Sequence, residues 1–144
     1  MRFDTKIAVL LRDDLADWQA LNVTAFLSSG IAANPELLGE PYLDADSDSD
    51  GIRYLPMFRQ PLLVLDGSKE VLTAAHARAV SRGLPVAIFT ADLFATGHDE
   101  ANRAAVRAVP RADLDLVGLA VHGPRNGVDK VLKGARLFGR RASR

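Results

Sequence analysis

LPVAIFTADLFATGHDEANRAA, Leu84–Ala105, decides how this chain is read. Within it VAIF has the length and β-branching of a buried strand. The strand ends close to Asp92, a turn carries Thr96, and a helix opens at His98. Thr96 with Asp99 resembles a capping box, and Pro110 stops the helix after Val109. A carboxylate, a hydroxyl and an imidazole thus gather at one strand-to-helix junction, where α/β proteins tend to build ligand sites.

Working outward, the same alternation recurs. IAVLL, Ile7–Leu11, reads as a buried central strand. Asp17 is placed to cap a helix over Trp18–Ser29, which Gly30 would close. Val23, Phe26, Leu27 and Gly30 form its core stripe, with Trp18, Asn22, Ala25 and Ser29 on the other side. LLVL, Leu62–Leu65, is a second strand. Ser68 caps a helix running to Arg82, and Gly83 ends it. LVGLAV, Leu116–Val121, is a further strand, and Gly123-Pro124 opens a last helix. Between them, residues 34–60 carry five prolines and glycines before Pro61 and read as a two-stranded excursion with a solvated acidic tip. The pattern predicts a three-layer α/β/α fold around a mixed, mostly parallel sheet. Residues 1–138 make one domain, with a basic tail over 139–144.

Composition narrows the chemistry. With 144 residues, 48% hydrophobic and 25% charged, the chain is an ordinary globular sequence able to bury on the order of 70% of its unfolded surface. The absence of cysteine removes disulfides and thiolate chemistry. Zero formal net charge gives no global attraction to nucleic acid or an anionic membrane. The apolar run at the N-terminus is too short for a signal peptide core or a membrane span, so a soluble cytoplasmic protein is expected.

Each candidate residue also has a purely structural reading. Asp92 can act as a base or orient water, or it can simply cap a turn; Thr96 can donate to a ligand, or cap its helix. At a helix start His98 is biased toward the neutral form, which suits hydrogen bonding. His76 sits on an apolar helical face and reads as a core histidine. His122 ends its strand, where it would share an edge with Asp92. The three histidines have no metal-ligand spacing, and no metal or cofactor is expected. Asp46, Asp48 and Asp50 have the spacing of a calcium-loop start, but Met57 stands where the closing glutamate belongs. HGPRNGVDK, His122–Lys130, would bring Arg125 to an anion at a helix start, without the Walker order. No GxGxxG or GxSxG motif occurs.

The order KIAVLLRDDL, QPLLVL, RGLPVAIF, LVGLAVHGP and VDKVLKG resembles the archaeal and eukaryotic type of peptidyl-tRNA hydrolase. Arg12, Asp14 and Leu15 match that family's Arg-x-Asp-Leu, and Asp92 and Thr96 match the Asp and Thr of its Asp-Ala-Gly-x-Thr. WQALNVTAFLSSG, DLFATGHDEANR and GPRNGVDK are more closely similar to a bacterial family catalogued as a domain of unknown function with that fold. The resemblance implies an ester or amide hydrolase using Asp92 and Thr96. The family's Gly-Lys-Gly-Lys loop, however, is here ADWQAL, Ala16–Leu21, and its cation is missing. The favoured expectation is therefore a small-ligand-binding or regulatory module using Asp14, Trp18, Asn22, Phe94, His98 and Arg125. A homodimer is expected on base rates, and tRNA is the disfavoured partner.

Overall fold

The computed structural model describes residues 2–42 and 52–139. β1 (Thr5–Arg12) lies third in a five-stranded sheet, with β2 (Leu62–Gly67) on one side and β4 (Leu116–Pro124) on the other. β3 (Val86–Thr90) and β5 (Arg136–Leu137) form the two edges, in the order β3-β4-β1-β2-β5.

β1 is apolar from Ile7 to Leu11 because both of its faces are covered there. Successive strand side chains point to opposite faces. Ile7, Val9 and Leu11 therefore meet Ala20, Val23, Leu27 and Ile31 of α1 (Asp17–Ala32). Ala8 and Leu10 meet Leu72, Ala75 and Ala79 of α2 (Lys69–Ser81), together with Val128 and Val131 of α4 (Arg125–Val131). Two cores back to back give the three-layer arrangement, with α1 and the 3₁₀ residue Leu37 on the first face.

The sheet is mixed, as expected, but it is not mostly parallel. β1 runs parallel to β2, whereas the β1–β4, β2–β5 and β3–β4 pairings are antiparallel. The cause lies between β3 and β4. Thr90 pairs with Leu116, and the Ala91 N–H donates to the Asp115 carbonyl at 2.9 Å. Residues 91–115 thus leave the sheet and return at the same end. They contain α3 (Asp99–Arg107), which buries no residue and does not cross a sheet face as a βαβ helix would.

Local signals succeed and fail for identifiable reasons. Ser68 Oγ accepts from the Val71 N–H at 3.2 Å, and Gly83 has φ +67°, so both predicted ends of α2 are in place. α1 begins one residue early in its cap: Ala16 is the N-cap, and its N–H donates to Gln19 Oε1 at 3.0 Å. Gly30 does not end α1. It lies within the helix, where an added Cβ would come within 3.1 Å of Ala87 Cβ, so its role is close approach to β3. α3 is capped by His98, not Thr96; His98 Nδ1 accepts from the Ala101 N–H at 3.2 Å. In the excursion, antiparallel bridges join Leu38 to Phe58 and Tyr42 to Tyr54. The acidic tip and its Asp46, Asp48 and Asp50 lie outside the described residues, as do residues 140–144.

The seating of α1 on the sheet depends on Gly118 of β4. A Cβ there would meet Val23 Cγ1 at 2.6 Å and Leu27 Cδ1 at 3.0 Å. Gly118→Ala is expected to lower unfolding stability by about 1–3 kcal/mol, the cost of overpacking a filled core. Urea denaturation checks this; wild-type stability in the variant contradicts this account of the α1–β4 contact.

Candidate functional site

β1, β2 and β3 run in one direction, so their C-terminal ends share one end of the sheet with the start of β4. Asp14, Trp18, Asp92, Phe94, Thr96 and His98 follow from those ends. Arg125 does not join them. It begins α4 at the opposite end, where its N–H donates to the Asp4 carbonyl and its Nη1 to the Phe3 carbonyl at 3.3 Å. His122 is likewise at that far end, beside Asn34, Pro85 and Val86, and not on the edge of Asp92. Both misplacements have the same cause, the antiparallel direction of β4.

What comes together at the near end is a cleft of about 500 Å³ between two helices. Trp18, Asn22, Phe26 and Ser29 recur every three or four residues and form one row along α1, the first wall. Phe89 of β3, with Leu93 and Phe94 from the 3₁₀ turn Ala91–Phe94, makes the floor. Thr96, His98 and Asn102 stand on the second wall, at the start of α3. Farther along α3 a second hollow of about 420 Å³ is lined by Leu27, Ala87, Ile88, Val106, Arg103 and Arg107. Phe26, Phe89, Leu93 and Asn102 line both hollows, so the two are halves of one groove.

Four rings run along this groove in sequence. Trp18 meets Phe94 edge-on at 5.8 Å, Phe94 meets Phe89 at 5.1 Å, and Phe89 meets Phe26 edge-on at 5.9 Å. Each such pair contributes about 0.5–1.5 kcal/mol beyond its buried area. Trp18 nevertheless remains 63% exposed and Phe26 54% exposed, so these two rings offer faces to a visitor.

The polar groups at the near end are partly committed. Thr96 Oγ1 meets the Leu93 carbonyl at 3.0 Å and also the Asn102 side-chain amide, tying the turn to α3. A hydroxyl has a single proton to give, so Thr96 is held by structure and is not aimed at Asp92. Asp92 is exposed and does not line the cleft. Because His98 Nδ1 accepts the Ala101 N–H, the ring proton of the neutral imidazole lies on Nε2, a donor at the cleft. Asp14 is outside the cleft in an ion-pair cluster. Arg12 Nε donates to Asp14 at 2.7 Å, Arg12 Nη1 to Asp115 at 2.8 Å, and Lys69 Nζ lies 3.6 Å from Asp115.

Of the residues expected at the site, Trp18, Asn22, Phe94, Thr96 and His98 line the cleft; Phe26, Asn102, Arg103, Val106 and Arg107 line the groove without having been singled out from the sequence. The helical stripe places Phe26 in the core, although it continues the 18–22 row by four residues. The spacing of 98, 102 and 106 was the available signal for the α3 wall.

Comparison with known proteins adds a family. Residues 5–139 match the family described as Protein of unknown function (DUF2000), and the chain belongs to that family. It is similar to the solved structure of a protein of unknown function, Atu0240, from Agrobacterium tumefaciens strain C58. The two share 45% identity with a TM-score of 0.89, over 96% of this chain and 100% of that one. No curated protein matches the chain.

The histidines outside the cleft set an acid sensitivity. Burial pushes His122 below the ordinary imidazole value, and burial with the nearby positive Arg111 does the same for His76. Unfolding restores the ordinary value of about 6.5, so below it the unfolded chain takes up protons that the folded one resists. Stability is therefore expected to be full above that pH, to fall as pH drops through it, and to level once the folded values are passed. Denaturation midpoints measured from about pH 7.5 to about pH 5 should show the fall, with a shallower slope in a His76→Gln/His122→Gln variant. Equal slopes contradict the assignment.

Proposed function

We propose that this protein binds a small amphipathic molecule in the groove between α1, β3 and α3, as a cytoplasmic binding or regulatory module. In this reading the scaffold is that of the peptidyl-tRNA hydrolases, with the catalytic lysine loop replaced by the α1 wall. The observation that carries it is the groove itself. Trp18 and Phe26 stay exposed along it, and α3 closes one side while burying none of its own residues. A pocket of this size, with an apolar floor and polar groups around it, is what small-molecule sites have in common.

Hydrolysis of an ester by Asp92 and Thr96 has less support. Thr96 is occupied by Leu93 and Asn102, and Asp92 stands outside the cleft. Arg12 is engaged by two carboxylates, and Arg125 is at the other end of the sheet. An oxyanion would then lack the preorganised cation that the resemblance calls for.

A thermal-shift screen of metabolites tests the binding reading. A stabiliser present at about a hundred times its Kd is expected to raise the melting temperature by roughly 5–10 °C. The shift should shrink strongly in Trp18→Ala and persist in Asp92→Ala. A broad screen without a stabiliser, or a shift indifferent to Trp18, contradicts it.

A further inference from the structure

The two halves of the groove differ in charge, and the difference selects a ligand. Asp99 sits at the near end and opposes anions there, while Arg103 and Arg107 follow at four-residue intervals toward the far end. Arg103 Nε is paired with Asp99 at 2.8 Å. The Arg107 guanidinium makes no hydrogen bond or ion pair among the described residues, and Arg107 lines the apolar hollow beside Val106. The floor beneath it is Leu27, Ala87, Ile88 and Phe89. The partial negative charge at the C-terminus of α3 amounts to about half a unit, which the Arg107 guanidinium alone exceeds.

We propose that the groove takes a small aryl or medium-chain carboxylate. The tail lies along Phe26, Phe89 and Leu93, and the carboxylate meets Arg107 with Arg103 alongside. This rests on the groove being a ligand site and adds the class of ligand. A planar guanidinium matches a carboxylate in a two-point contact. The apolar floor suits a hydrocarbon tail. It does not suit a polyphosphate, whose charges would lie against Phe and Leu side chains without partners.

Matched probes separate the two claims. The full chain would be titrated with 4-phenylbutyrate and octanoate, and with 4-phenylbutan-1-ol and octan-1-ol, following backbone amide resonances. The carboxylates are expected to shift Phe89, Leu93, Asn102 and Val106 and to bind at least about tenfold tighter than the alcohols. Arg107→Gln should remove that difference while leaving the alcohols unchanged, and added salt should weaken the carboxylates alone. Val106→Trp, its fold checked by the same spectrum, should block all four by filling the hollow. Equal affinity of acids and alcohols, or a preference that survives Arg107→Gln, overturns the carboxylate assignment and leaves the groove as a ligand site. Failure of all four probes to move those amides overturns the assignment and counts against the groove as a site.

Discussion

The burial of β1 on both faces is the constraint from which the other positions follow. Ile7, Val9 and Leu11 require one apolar cover and Ala8 and Leu10 another, so helices must lie on both sides of the sheet. One face receives α2 and α4 together. The other receives α1, drawn close by the missing side chains at Gly118 and Gly30. A single helix does not cover β3 fully. Its outward row of Trp18, Asn22, Phe26 and Ser29 is left beside the exposed edge of the sheet, and α3 swings back to face that row. The groove is thus a consequence of how the core is divided.

Much of this was legible in the residues. Continuous apolar runs marked four strands, because a strand covered on both faces has no polar alternation to confuse it. Ser68 and Gly83 bounded α2 because cap and left-handed turn are local chemistry. Strand direction was not legible. A helix between two strands ordinarily signals a crossover, but α3 buries nothing and returns the chain to the end it left. From that one inversion follow the misplaced His122 and Arg125. Gly30 misled for a different reason. A glycine that stops a helix and one that lets a helix approach a strand look alike in sequence, and only Ala87 distinguishes them.

The meaning of the Asp92–Thr96 stretch changes accordingly. Its spacing matched a hydrolase pair, yet the hydroxyl is spent on Leu93 and Asn102 and the carboxylate faces outward. What the stretch does provide is Leu93, Phe94 and the His98 cap, which together set the floor and the far wall of the groove. The rings of Trp18 and Phe94 meet edge-on at the near end of the groove. An apolar, partly aromatic surface there favours a ligand with less charge than a nucleic acid end.

A fragment screen by two-dimensional amide NMR measures the central claim most directly, because it asks the molecule where it binds without assuming a ligand. The account predicts that most hits move the Trp18 indole and the amides of Phe89, Leu93 and Asn102 together. Hits that gather instead around His122 or around Leu21 and Phe138, leaving those groups unmoved, would contradict it.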